Sequence, residues 1–179
     1  MNGTRYFHTA SVLNDGKVLV AGTVYGGSNC ELYDPSTRNW TLTGSLNIPR
    51  YVHTASVLRD GKVLVVGGMN GITSVNTAEL YDPVTGNWTL TDSMRFSRYG
   101  HSASMLLDGK VLVCGGQDAS IYLSSCEVYD PSTGIWIITN SMNDRRIFHT
   151  ASVLLDGKVL VTGGQFSTWY LKSAELYSY

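Results

Sequence analysis

The chain has 179 residues, 43% of them hydrophobic and 15% charged, and thirteen basic against fourteen acidic side chains leave a net charge of −1. That is enough apolar material for a packed core, and without any run of Lys or Arg there is no electrostatic footprint for a phosphate backbone, which argues against a nucleic-acid partner. No apolar run approaches the roughly 20 residues of a membrane span, so no membrane insertion is expected, and the start MNGTRYFHTAS has neither the basic end nor the apolar stretch of a secretory signal.

The first element begins with Arg5 and His8 and continues into the small, β-compatible run Thr9 to Val12. The same phrase returns at Arg50 and His53, Arg98 and His101, and Arg146 and His149, with the histidines 45, 48 and 48 residues apart. A period of that length signals stacked repeat units. We letter the strands of a unit A to D. After strand A comes Asp-Gly, at Asp15, Asp60, Asp108 and Asp156 with the following glycine. This pair predicts a tight hairpin in which both turn residues take positive φ. Strand B follows as a continuous apolar run, Val63 to Val66 in the second unit, of the kind buried on both faces. It ends in Gly67-Gly68, Gly115-Gly116 and Gly163-Gly164.

After a variable segment, strand C reads Glu79-Leu80-Tyr81, and Asp82-Pro83-Val84-Thr85-Gly86 reverses the chain. Trp40, Trp88 and Trp136 open strand D, and their bulk and strict phase predict wedges between neighbouring sheets. Four short antiparallel strands in 48 residues make one propeller blade, whereas a helical solenoid needs apolar residues three and four apart, which these units lack. The expected fold is an all-β propeller of four-stranded antiparallel blades. Its units run approximately over 5–49, 50–97, 98–145 and 146–179, the last incomplete because Tyr177-Ser178-Tyr179 comes before any Pro, Trp or strand D.

The glycine doublet, the Tyr a dozen or so residues later and the Trp beyond it resemble the kelch motif. The fuller phrase HTASxLxDGKVLVxGG with AELYDPxTGxW is similar to the repeats of kelch proteins related to the galactose oxidase propeller. The resemblance covers essentially the whole chain and implies a propeller that usually has six or seven blades, so the four units here are expected to be part of a larger ring. It also implies a binding platform more often than an enzyme. Unit one departs from the pattern: Thr23 replaces the second glycine, Arg38 replaces Gly86 and Gly134, and the variable segment is three residues shorter. Arg38 at a left-handed position would be strained by about 1 kcal/mol unless Asn39 absorbs the turn.

The four histidines invite a metal ring, but equivalent atoms in facing sheets lie roughly 10 Å apart, far beyond the roughly 2.1 Å of a zinc ligand. Each is expected to bond neighbouring backbone at the head of strand A. Arg50 with Glu79, Arg98 with Glu127 and Arg146 with Glu175 are expected to form structural ion pairs within or between blades. No nucleophile elbow, zinc-protease motif or phosphate loop is present, and the dispersed glutamates do not make a paired-carboxylate site. No enzyme activity, metal or cofactor is therefore expected. A copper-radical oxidase is the enzymatic alternative that the resemblance raises, but every His is repeat-phased. Three cysteines are an odd count, and with Cys30 and Cys126 in the same phase of non-adjacent units no disulfide framework is expected. Free thiols and the lack of an export signal lean towards a cytoplasmic compartment.

Function is sought where the units differ. The loop between B and C and the loop from D to the next A leave one end of every blade, and variation concentrates there. That face carries Tyr25, Arg95, Tyr122, Arg145, Phe166, Trp169 and Tyr170, residue types that make binding hot spots. Trp169 is the only tryptophan outside the blade phase. The plain alternative is loop drift, with the aromatics folded back onto the blade. The expected function is a noncatalytic interaction module with a protein or peptide partner on this face. The alternative is the propeller portion of a secreted galactose-oxidase-like or carbohydrate-binding protein. Open propeller edges would in addition favour self-association.

Overall fold

The computed structural model describes residues 1–23 and 27–178, and its regular structure there consists of strands alone. The first sheet is β1 (Thr9–Val12), β2 (Val18–Ala21), β3 (Cys30–Asp34) and β4 (Asn39–Thr43). The second unit adds β5 (Thr54–Val57), β6 (Val63–Val66), a short hairpin of β7 (Met69–Asn70) and β8 (Thr73–Ser74), then β9 (Ala78–Asp82) and β10 (Asn87–Thr91). The third repeats this with β11 (Ser102–Met105), β12 (Val111–Cys114), the hairpin β13 (Gln117–Asp118) and β14 (Ile121–Tyr122), β15 (Cys126–Asp130) and β16 (Ile135–Thr139). The fourth has β17 (Thr150–Val153), β18 (Val159–Thr162), the hairpin β19 (Gln165–Phe166) and β20 (Trp169–Tyr170), and β21 (Ala174–Tyr177).

Each main sheet is antiparallel in chain order, with four strands in the first three units and three described strands in the last. Strand A of each unit packs on strand A of the next, β1 on β5, β5 on β11 and β11 on β17. Those strands therefore surround one axis and strand D forms the outside. The sheets are tied together by apolar layers of recurring composition. Leu13, Leu19 and Leu46 of the first unit meet Val63, Val65, Tyr81 and Trp88 of the second. Leu58, Leu64 and Met94 likewise meet Val111, Val113 and Tyr129, and Leu106, Leu112 and Met142 meet Val159, Val161 and Tyr177. The tryptophans act as wedges with a polar anchor: Trp88 Nε1 donates to the Gly44 carbonyl at 3.0 Å and Trp136 Nε1 to that of Asp92 at 2.8 Å, each across to the preceding sheet.

The Asp-Gly hairpins form, but with a different turn from the one expected. Only the glycine is left-handed, at φ 84° for Gly16 and 86° for Gly61, and Asp15 is not. Gly16 N–H bonds the Leu13 carbonyl and Leu13 N–H the Lys17 carbonyl, the pattern of a type I turn closed by a glycine bulge. The aspartate serves instead as an acceptor, its Oδ1 taking the Lys17 N–H at 3.0 Å. Arg38 itself takes the left-handed position at φ 59°, where Gly86 and Gly134 have 71° and 75°.

The cysteines depart from the expectation of unpaired thiols. Cys114 ends β12 and Cys126 begins β15, the two are register partners, and they form a disulfide spanning 12 residues. Comparing cysteines by phase from unit to unit misses a pair that faces across two strands of one unit. Cys30 is the remaining thiol and is buried.

Candidate functional site

The variable end of the molecule is held by a buried clamp in every unit. Arg50 Nη1 donates to the Gly67 and Thr77 carbonyls, both at 2.9 Å, and Nη2 to Thr77 Oγ1 and Glu79 Oε1. Glu79 in turn accepts the backbone N–H groups of Asn47 and Ile48 at 2.8 and 3.0 Å. One ion pair therefore fixes the incoming D–A loop and both ends of the B–C loop. The pairs lie within units, Arg50 with Glu79 at 2.9 Å, Arg98 with Glu127 at 2.8 Å and Arg146 with Glu175 at 2.6 Å. Arg5 and Glu31 make the same pair at 2.9 Å. Burial pulls the Arg50 pKa down, and the Glu79 charge opposes that. Hydrogen bonds and opposite charge at this depth indicate a structural element rather than a ligand contact.

The three buried histidines make their short contacts to side-chain hydroxyls rather than to the backbone expected. His53 Nε2 lies 2.8 Å from Thr9 Oγ1, His101 Nε2 2.8 Å from Thr54 Oγ1 and His149 Nε2 2.9 Å from Ser102 Oγ. Each ring thus grips a strand A hydroxyl of the preceding unit. Desolvation drags His53 down to about 3 and His149 to about 4, with the Arg of the same unit as the next cause, so the rings are neutral at neutral pH. They line a shallow axial depression of about 340 Å³ with Phe7, Val52 and Phe148 at its mouth. Among the described residues no group of His, Cys, Asp and Glu is arranged to hold a metal ion.

Beyond the clamps, the three small hairpins stand side by side at the variable end. Tyr51 bridges to Met69, Tyr99 to Gln117 and Ile147 to Gln165, so each hairpin is braced by the segment leading into strand A of its own unit. Neighbouring hairpins also touch. Ser74 Oγ donates to Asp118 Oδ1 at 2.6 Å, beside a groove of about 420 Å³ between the second and third units. Between the third and fourth, the Tyr122 and Phe166 rings meet edge to face with centroids 5.4 Å apart. Phe166 pairs across its hairpin with Trp169, and Trp169 and Tyr170 are 73% and 87% exposed.

Of the residues singled out in the sequence, Tyr122, Phe166, Trp169 and Tyr170 come together on these two hairpins. Trp169 and Tyr170 do not fold back onto the blade. Arg95 stands apart, lining a depression on the outer side of the third sheet with Trp136 and Ile137, its guanidinium 5.9 Å from the Phe96 ring centroid. Arg145 is exposed on the loop leading into the fourth unit. Tyr25 lies outside the described residues. Two features of the face escaped the sequence reading: the Ser74–Asp118 contact, which has no local signal, and the hairpin turns, for which Asn70-Gly71 is a recognisable one.

An arc of antiparallel sheets, each with its inner strand at a common axis and all variable loops at one end, is part of a β-propeller. The kelch motif matches at residues 50–95 and 98–143, which together span just over half of the chain, and the protein belongs to the kelch-repeat family. No curated protein matches the sequence. Kelch repeats form β-propeller modules that commonly mediate protein interactions and are typically noncatalytic scaffolds.

Proposed function

We propose that the protein is a noncatalytic interaction module that takes a protein or peptide partner on the face built by the B–C hairpins and D–A loops. The observation that carries this reading is the aromatic group on the last two hairpins. Trp169 and Tyr170 stand in solvent on β20, whose hairpin partner β19 is tied by the Ile147–Gln165 bridge to the segment leading into strand A, next to the Tyr122–Phe166 pair. Exposed aromatics held rigidly lose little entropy when covered, which is why such residues dominate binding energies. Arg145 supplies a cation on the same face, and Arg95 serves a separate, outer contact.

Alanine at Trp169 and at Tyr122 tests the reading. Each should weaken partner capture by about 30-fold or more while the melting temperature holds, since Trp169 is mostly solvent-exposed. Parallel loss of binding and stability, or full retention of binding, would overturn it. A secreted, carbohydrate-binding or galactose-oxidase-like role is the second reading, favoured by the Cys114–Cys126 disulfide, a bond typical of oxidising compartments. Binding to a glycan panel, or copper uptake with peroxide production from sugars, would establish that role in place of the first.

A further inference from the structure

The outer strand of the third unit differs from its counterparts. β16 reads Ile135-Trp136-Ile137-Ile138-Thr139, where the first two units have Asn-Trp-Thr-Leu-Thr over 39–43 and 87–91. Two polar positions are isoleucine here, and Ile135, Ile137 and Ile138 are 48%, 60% and 52% exposed. The openness belongs to the position and not to any missing neighbour. In the second unit, which has a four-stranded unit on either side, Thr89 is exposed and Leu90 is 58% exposed. Proteins normally blunt such edges with polar side chains or cover them, because an apolar edge strand is a template for pairing.

The backbone of β16 is open as well. Gly115 N–H bonds the Ser125 carbonyl, so by alternation Glu127 and Tyr129 bond β12, while Cys126, Val128 and Asp130 bond β16. Their partners on β16 are Thr139, Ile137 and Ile135. Trp136 and Ile138 therefore turn their N–H and C=O groups outward, away from the sheet.

In the second unit one of these outward groups is covered. Asn47, whose N–H is held by Glu79, donates Nδ2 to the Trp88 carbonyl at 3.3 Å. Arg95 takes the place of Asn47 in the third unit, its N–H held by Glu127 at 2.7 Å. Its guanidinium lies over the Phe96 ring instead, and among the described residues no donor reaches the Trp136 carbonyl. Glu127, the carboxylate beside the same depression, is committed to Arg98 at 2.8 Å. Among the described residues Arg95 thus stands as a cation without a counter-charge, next to Trp136, Ile137 and Ile138.

We propose that β16 receives an extended, acidic segment of a partner protein as a fifth strand of the third sheet. The outward groups of Trp136 and Ile138 bond its main chain, a carboxylate of the segment meets Arg95, and its alternate apolar side chains cover the isoleucines. A second β16 carries no acidic residue to set against Arg95, which favours a different chain as the occupant. The site lies on the outer side of the molecule and does not depend on the hairpin face.

Acetylated and amidated hexapeptides of alternating Val and Thr, with Glu at the first or the last position, probe both strand directions. One of the two should bind in fluorescence anisotropy and slow amide hydrogen exchange at Trp136 and Ile138. Replacing its Glu by Lys should weaken binding about tenfold, and Arg95→Glu should reverse that preference. Ile138→Pro removes an outward N–H without touching a bond to β15 and should abolish binding. If that variant perturbs folding, Ile137→Lys places a charge on the same edge from an exposed position and should act alike. Trp169→Ala, on the hairpin face, should leave peptide binding unchanged. The proposal is overturned if neither peptide binds, if binding leaves the two amides unprotected, or if Arg95→Glu has no effect. Self-association that Ile138→Pro abolishes would overturn it too, by making a second copy the occupant.

Discussion

Arg38 holds a backbone conformation that glycine holds in the next two units, with φ 59° against 71° and 75°. A side chain there costs about 1 kcal/mol in steric strain, partly offset by the larger unfolded-state freedom of glycine. Arg38→Gly is expected to stabilise the protein by about 0.5 kcal/mol, read as a higher urea midpoint with unchanged slope. The Arg50–Glu79 pair behaves oppositely because both side chains are fully buried. Glu79→Gln leaves a buried guanidinium without its counter-charge and should cost about 3–5 kcal/mol, measured by the same titration. Both residues were legible in the sequence, Arg38 by its place in a repeated turn and the pairs by their shared phase. The histidine partner was not, because a hydroxyl 44 or 47 residues away on a neighbouring sheet leaves no local pattern.

At the scale of elements, the main strands of each unit follow from runs such as Val63 to Val66 and from turn chemistry that repeats. The exception is the B–C segment, where the strands of each hairpin are two residues long, too short for alternation to register. In the third unit that segment is closed at its base by the Cys114–Cys126 disulfide, between positions that are Val66 and Ala78 in the second unit and Thr162 and Ala174 in the fourth. Closing a loop of this size restrains the unfolded chain by about 2–3 kcal/mol. Adding dithiothreitol should therefore lower the melting temperature, and the double variant Cys114→Val, Cys126→Ala should melt at the reduced protein's temperature in either condition. Cys30 will not exchange with this pair in the folded state, because desolvation pushes its thiol up to about 11 and the side chain is buried.

Over the whole molecule, His53, His101 and His149 form one acid-sensitive set. Burial lowers all three in the folded protein, to about 3 for His53 and about 4 for His149, against roughly 6.5 in the unfolded chain. Between those values the unfolded state binds protons that the folded state refuses. The stabilisation is therefore complete above about pH 6.5 and is lost as pH falls through the window down to about 4. Each histidine contributes a slope of about 1.4 kcal/mol per pH unit there. Urea midpoints between pH 7 and 4.5 should fall steeply, and Thr9→Val with His53→Leu should flatten the profile by one histidine's share.

The backbone bonds from Phe148 to Gly100, Gly100 to Val52 and Val52 to Phe7 all run the same way around the axis. Each unit thus reads its predecessor by one rule, whatever that predecessor's loops contain. Removing the third unit whole would bring His149 against the Thr54 hydroxyl, the same pairing that His101 now makes. The molecule can be edited in words rather than letters: units can be gained, lost or reordered in evolution without any new contact being invented, while the exposed hairpins diversify independently of the scaffold that carries them.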